Sequence, residues 1–423
     1  MRILLPIIQF PPDVNPTGVL MAQLCEGLTA CGHEVSVITT FPHYENFRIW
    51  DEYRGKLVKR GQERGMEIVR LFTYAPGKKS MENRLISYVT FNALATMAGV
   101  FSRSRWDIIL CPNGSFFSGV TAWIVGKAKG IPFIYNVQDL YPDVPIRAGQ
   151  LRNPFAIATL RGIERFMYRK ADHITVIAPS FGDNLVAKGV PRGKISVIPN
   201  FVDTEFIRPL PKANSFAQQH GLSDKFVITH AGNLGYVYDL DTMLDAASLL
   251  SSQKDILFLI VGNGVAKPAL EKKAHELKLD NVRFIPFQPR ESLPWLRASS
   301  DVQVSLYKNG AANDSFPSKI YEIMASGRPL LASSDGDSGV ATLVKTAECG
   351  LCVKPGETED LAEAILDLYR NPALRETMGA HGRRYAEENH SKQVVINRYD
   401  NLLRRLCGET INSKSEILNS KSP

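Results

Sequence analysis

Short apolar, β-branched runs that alternate with helical patterns constrain this chain more than any other feature. One series of runs lies at 3–8, 34–39, 68–72, 108–111, 133–137, 173–177 and 195–198. A second lies at 226–230, 256–261, 282–285, 302–306, 329–332 and 350–353. Each is followed by a loop or a helix, so the pattern predicts parallel strands joined by helical crossovers, an α/β chain. Between the series, Pro199-Asn-Phe-Val-Asp-Thr-Glu-Phe-Ile-Arg-Pro209-Leu-Pro211 is proline-rich and aperiodic, and reads as a linker. A chain of 423 residues is also too long for one ordinary core. The expected domains are an N-terminal Rossmann-like domain over 1–202 and a C-terminal one over 203–390. A helix over 391–407 is placed to cross back to the first domain, and a disordered tail occupies 408–423. Two doubly wound sheets would face a central cleft, with ligands held by loops at the carboxyl ends of the strands.

Composition removes several function classes. No apolar run reaches the roughly eighteen residues of a spanning helix. Pro6 interrupts the N-terminal apolar run and no small-residue cleavage site follows, so a first strand is expected there and not a signal peptide. The six cysteines are scattered; Cys349-Gly-Leu-Cys352 has metal or redox spacing but no second ligand pair, and reads as core thiols in a reducing cytoplasm. Asp335-Gly-Asp337 and Asp239-Leu-Asp241 have the spacing of a divalent-cation pair. The first reads as a loop and the second as a helix cap, so no metal is expected. A formal charge of +7 favours anionic partners. No nucleic-acid motif or concentrated basic stripe is present, which leaves phosphates and membrane.

Three segments carry chemistry. Phe10-Pro-Pro-Asp-Val-Asn-Pro-Thr17-Gly18-Val follows the first strand and precedes a helix over 20–30, where a glycine lets backbone approach a ligand. His33, in the turn after that helix, reads as a turn residue and not as a catalyst. Gly262-Asn263-Gly264 closes an apolar strand and reads as a wall of a nucleotide pocket. The richest stretch is Asn313-Asp314-Ser-Phe-Pro317-Ser318-Lys319-Ile-Tyr-Glu322-Ile-Met-Ala-Ser-Gly327-Arg-Pro329. Pro317 suits a first helical position and Gly327 a helix end. Lys319 then falls in the first turn, with Glu322 three residues on and nearly on the same face. A lysine there runs against the helix dipole unless an anion compensates it, which suits a diphosphate.

At these residues the sequence resembles the large family of retaining GT-B glycosyltransferases numbered four, in its bacterial O-antigen, capsule and exopolysaccharide branch. The family's two acids, with seven residues between them, match Asp314 and Glu322, and Ile-Met-Ala-Ser-Gly-Arg-Pro-Leu-Leu continues the match. Gly32-His-Glu-Val, Pro199-Asn200-Phe201-Val202-Asp203 and Gln138-Asp139-Leu-Tyr-Pro-Asp143 also fit. The resemblance implies that Glu322 holds the ribose, that Asp314 contacts the donor sugar, and that the Thr17-Gly18 loop lies near the diphosphate and the acceptor. It implies transfer with retained configuration and no metal or other cofactor. The family's arginine and lysine after the first strand of the second domain are replaced here by Asn233 and Tyr238. Lys319, Ser318 and the backbone around Gly232, Asn233 and Gly235 are therefore expected to carry the phosphate work. A family histidine is replaced by Gln138, while Asp139 remains as a catalytic candidate.

The expected function is sugar transfer from a UDP-linked donor to a polyprenyl-diphosphate-linked or other saccharide acceptor. The expected place is the cytoplasmic face of the plasma membrane. A long apolar stretch over 83–105, with cations at both ends, suits either an anionic membrane surface or packing on the sheet. Two alternatives stay open: a non-hydrolysing sugar-nucleotide epimerase, and a degenerate transferase that only binds a nucleotide sugar.

Overall fold

The computed structural model describes residues 1–147, 149, 151–310, 317–336 and 338–409. The chain divides into two compact units, Met1–Asn200 with the segment from Val395 onward, and Phe201–Val394.

The first unit is built on an eight-stranded sheet. Its strands are β1 (Arg2–Pro6), β2 (Glu34–Thr40), β3 (Val58–Glu63), β4 (Met66–Leu71), β5 (Ile108–Pro112), β6 (Phe133–Val137), β7 (His173–Val176) and β8 (Ile195–Val197). The spatial order is β3-β4-β2-β1-β5-β6-β7-β8. Every pairing is parallel except β3 with β4, where Val58 faces Leu71. The apolar runs of β5 and β6 are buried along their whole length, as strands covered on both faces must be. β3 (Val-Lys-Arg-Gly-Gln-Glu) is exposed along nearly all its length, and its lack of apolar alternation hides it from the sequence reading. The first strand ends at Pro6, two residues short of the expected span. β1 lies between β2 and β5, so the strand order reverses beside it and opens a crevice at its carboxyl end.

The helix after β1, Pro16–Ala30, starts four residues before the expected Leu20. Asn15 caps it by accepting a hydrogen bond from the Gly18 N–H at 3.1 Å, and proline suits its first position. A Cβ on Gly18 would press on the Gln9 carbonyl at 2.5 Å, so the loop and the helix meet backbone to backbone. The terminal helix Lys392–Leu406 is seated on the first unit from Val395 onward. Its Asp400 carboxylate lies 2.6 Å from Nε2 of the buried His33, and its Tyr399 hydroxyl accepts from Asn136 at 2.9 Å. His33 thus ties the turn before β2 to the terminal helix. Of the expected tail, 410–423 lie outside the described residues, while Glu409 closes back on Arg404 at 3.1 Å.

The second unit is a six-stranded, wholly parallel sheet. Its strands are β9 (Phe226–Ala231), β10 (Ile256–Val261), β11 (Val282–Ile285), β12 (Val302–Leu306), β13 (Leu330–Ser333) and β14 (Gly350–Val353), in the order β11-β10-β9-β12-β13-β14. β9 and β10 are buried at every position. Phe258, Ile260, Leu244 and Ile365 form one side of the core, and Ile320, Ile323, Met324 and Leu330 belong to another cluster. Each such side chain contributes about 1.5–3 kcal/mol when fully buried. Cys349 is enclosed in this core, where burial pushes its thiol up to about 12, whereas Cys352 is exposed.

Candidate functional site

In the second unit the loops after β9 and β10 are laced together by their backbones. The Gly232 N–H donates to the Val261 carbonyl at 2.9 Å and the Leu234 N–H to the Asn263 carbonyl at 3.0 Å. Gly232 and Gly262 have φ of 144° and 143°, which side-chain-bearing residues rarely adopt. A Cβ on Gly262 would overlap the Gly232 carbonyl oxygen, and one on Gly264 would overlap the Leu234 backbone. These glycines let two loops at the carboxyl edge of the sheet close into one wall. The lacing corrects one expectation, because the Gly232 and Leu234 N–H groups are already engaged and are not free to hold a phosphate.

Lys319 opens the helix Lys319–Ala325, with Ser318 at the cap position and exposed. Pro317 lies two residues outside the helix and is not its first residue. Instead the Ile320 N–H donates to the Pro317 carbonyl at 3.2 Å and the Tyr321 N–H to the Ser318 carbonyl at 3.1 Å, a tight entry turn. Gly327 ends the helix in the left-handed region, φ 67°, as expected.

The Lys319 ammonium is enclosed, and Nζ has no hydrogen-bond partner among the described residues. It sits 3.9 Å from the ring centroid of Tyr238, and its aliphatic stem passes Gly232. Burial, then the nearby Arg297, hold its pKa well below the ordinary lysine range, with Glu322 opposing. A buried amine without a hydrogen-bond partner costs stability, a cost that an anionic partner would relieve. Tyr238 occupies the position where the resemblance places a lysine, and here it carries the ammonium on its ring face.

Glu322 does not pair with Lys319. Its carboxylate takes a 2.5 Å hydrogen bond from Nη2 of Arg297, on the helix Leu293–Ala298. Arg297 is 3% exposed and is braced in turn by the Gln303 side-chain oxygen at 2.6 Å. Glu322 keeps 32% of its side chain open, so one oxygen is fixed while the group remains accessible. Neither Arg297 nor Gln303 was signalled by local sequence, since each is read only through its distant partner.

Asp314 lies outside the described residues, as does Asp337. Asp335 accepts the Gly310 N–H at 2.9 Å. Asp239 stands at a helix start but makes no cap bond; its carboxylate accepts the Gly356 N–H at 3.0 Å, a correction to its expected capping role. Among the described residues no group of three or more His, Cys, Asp or Glu is arranged to hold a metal ion.

Thr17, Gly18 and Asp139 belong to the first unit, so the expected donor and catalytic residues fall into two groups. Thr17 and Asp139 both line a cavity of about 350 Å³ beside the carboxyl end of β1. Burial raises the Asp139 carboxyl above its ordinary range, and among the described residues its oxygens have no hydrogen-bond donor. The Asn113 side chain fixes this turn by accepting from the Gln138 N–H at 2.8 Å and donating to the Asp139 carbonyl at 2.7 Å. Gln138, where the resemblance has a histidine, is buried and bonds Asn136 at 2.8 Å and Asn200 at 2.9 Å. The cavity is completed by His43, Lys79 and Arg84, which sequence reading did not single out as site residues.

Residues 17–200 match the family described as "Glycosyl transferase 4-like domain" and residues 212–385 match "Glycosyl transferases group 1". A relative from Escherichia coli (strain K12), WcaI, provisionally named as a colanic acid biosynthesis glycosyl transferase, is 27% identical over 413 residues, covering 96% of this chain and 100% of that protein. Among solved structures, sucrose-phosphate synthase from Thermosynechococcus elongatus superposes with a TM-score of 0.76 at 20% identity, covering 96% of this chain and 99% of the other. Anabaena HepE in complex with UDP gives a TM-score of 0.73 at 17% identity, covering 96% and 100%.

Proposed function

The chain is a glycosyltransferase of GT-B architecture, and from that premise we propose that it transfers a sugar, with retained configuration, from a UDP-linked donor to a lipid-linked saccharide in bacterial surface polysaccharide synthesis. The nearness of WcaI, named for colanic acid, supports the pathway class, and HepE, solved with UDP, supports the nucleotide. One observation carries the reading: an enclosed Lys319 ammonium, without a hydrogen-bond partner among the described residues, stands beside the glycine loops of β9 and β10.

Each residue then has a task. The donor's diphosphate takes the place of the missing partner on Lys319 Nζ. Charge that develops on the departing UDP meets an ammonium already positioned and out of water, the arrangement in which such stabilisation is strongest. The Arg297-braced Glu322 carboxylate accepts hydrogen bonds from ribose hydroxyls, and Ser318 lies at the same helix entry. The bond from the anomeric carbon to the phosphate oxygen breaks and a bond to the acceptor oxygen forms on the same face. The acceptor's hydroxyl proton leaves with the departing phosphate. Asp314, by resemblance, contacts the donor sugar, and Asp139 accepts a hydrogen bond from the acceptor in the first unit's cavity. No metal or other cofactor takes part in this scheme.

The membrane part of the reading is supported by the helix Met81–Val100. It buries Phe91, Ala95 and Gly99 yet exposes Met81, Leu85, Ile86, Val89 and Met97. No helix among the described residues is long and apolar enough to cross a membrane. Peripheral contact with the inner face of the plasma membrane fits such a half-packed helix.

The test is mass spectrometry of products from a panel of UDP-sugars offered with a prenyl-diphosphate-linked saccharide, with the new linkage assigned by NMR. The expected result is acceptor-dependent release of UDP and a product with the donor's anomeric configuration. Conversion of the nucleotide sugar without acceptor is the epimerase outcome and refutes the proposal, as does an inverted linkage.

A further inference from the structure

The first unit's cavity has a charge pattern that sugar transfer alone does not explain. Lys79 and Arg84 stand at its mouth, and among the described residues neither meets a carboxylate. Arg84 donates to the Tyr88 hydroxyl at 3.2 Å, and the Lys79 ammonium lies 4.9 Å from the Tyr44 ring centroid. Two cations spaced by five residues, flanked by phenols and lacking an anion, leave a net positive pocket mouth.

Deeper in the cavity the chemistry changes. His43 is 1% exposed, and its Nδ1 donates to the Phe41 carbonyl at 2.9 Å, which leaves the lone pair on Nε2. That nitrogen is buried and has no partner among the described residues. Burial holds the ring below its ordinary pKa, and Lys79 adds to the effect, so the lysine's charge reaches it. With Asp139 on the same lining, the interior offers two hydrogen-bond acceptors and suits hydroxyl donors.

The third element is apolar. Met81, which lines the mouth, begins a run of exposed side chains with Leu85, Ile86 and Val89, at helical spacing along one face. From inside to outside the sequence is hydroxyl-binding, cationic, apolar. A glycosyl diphosphate esterified to a prenyl chain presents the complementary order: sugar hydroxyls, phosphates, hydrocarbon.

We infer that Lys79 and Arg84 form a diphosphate subsite for the acceptor, with the acceptor sugar toward His43 and Asp139 and the prenyl chain along Met81, Leu85, Ile86 and Val89. This rests on the lipid-linked acceptor of the proposed function, and it assigns residues to that acceptor.

The test is calorimetric titration of the full chain, saturated with UDP so that the second unit's anion site is filled. Three probes are used: farnesyl diphosphate, inorganic pyrophosphate and farnesol. Farnesyl diphosphate is expected to bind at least tenfold more tightly than either other probe. The double substitution Lys79→Ala with Arg84→Ala is expected to weaken it at least tenfold, and Lys79→Arg with Arg84→Lys to restore most of the affinity. Both side chains are exposed, so unchanged melting accompanies the loss. Equal binding of farnesol, or an unaffected double variant, overturns the diphosphate subsite. Equal binding of pyrophosphate overturns the place given to the prenyl chain and marks a soluble phosphate ester. Lys319→Met separates this inference from the donor reading: it is expected to weaken UDP and leave farnesyl diphosphate unchanged. If UDP fails to bind while farnesyl diphosphate binds through Lys79 and Arg84, the donor reading falls and the subsite stands. The reverse result removes the subsite alone.

Discussion

Lys319→Met separates ligand binding from stability in a way that a structural lysine does not allow. In the free protein the Lys319 side-chain nitrogen is enclosed and makes no hydrogen bond among the described residues. Leaving a buried donor unsatisfied costs about 1–3 kcal/mol. Methionine fills a similar volume without that penalty, so melting is expected to stay level or rise. The diphosphate, in contrast, loses a charge-assisted hydrogen bond worth about 1.5–3 kcal/mol, which weakens UDP roughly 13- to 160-fold. Turnover is expected to fall at least tenfold. The wild-type complex should also take up a proton. Burial and Arg297 hold the free lysine's pKa down, and the bound anion raises it again. Between the free and bound pKa values UDP affinity therefore falls as pH rises, and the methionine variant loses that slope. Calorimetry in two buffers of different ionisation enthalpy reads the uptake directly. Equal UDP affinity in the variant, or loss of affinity accompanied by a lower melting temperature, refutes the reasoning.

Glu322→Ala is expected to lower turnover at least tenfold in a protein that stays folded, since Arg297 keeps its bond to Gln303; loss of the carboxylate bond should cost about 1–3 kcal/mol in denaturant unfolding. Wild-type turnover in that variant rejects the ribose role. Gly262→Ala combines a positive φ with an overlap on the Gly232 carbonyl, and should destabilise by about 3 kcal/mol, some 6–12 °C by calorimetry of a unit this size. An unchanged melting temperature contradicts the laced-loop description. Excess EDTA is expected to leave turnover unchanged; loss on chelation with recovery on added magnesium contradicts metal-free departure.

The sequence carried the fold further than the site. Parallel strands such as β5, β6, β9 and β10 are continuous apolar runs, which is what burial on both faces requires, so their place was legible. β3 was not, because an antiparallel edge strand needs no buried face, and Lys59, Arg60 and Gln62 give no periodicity. The helix at Lys319 began later than Pro317 suggested, since the entry turn uses the Pro317 carbonyl instead of its ring position. Lys319 itself was legible as a charge against a helix dipole. Its solitude was not, because the Arg297–Glu322 pair that draws Glu322 away joins helices twenty-five residues apart. His43, Lys79 and Arg84 come from separate loops and one helix start, and only the folded sheet edge collects them. Asp239 shows the converse: a residue at a capping position whose bond goes to Gly356, far along the chain.

The grip on the departing pyrophosphate is tested most directly by a crystal structure of the protein with UDP. A phosphate oxygen is predicted about 3 Å from Lys319 Nζ, with ribose hydroxyls on the Glu322 carboxylate. A nucleotide seated away from the β9 and β10 glycine loops, with Lys319 still bare over Tyr238, contradicts the account.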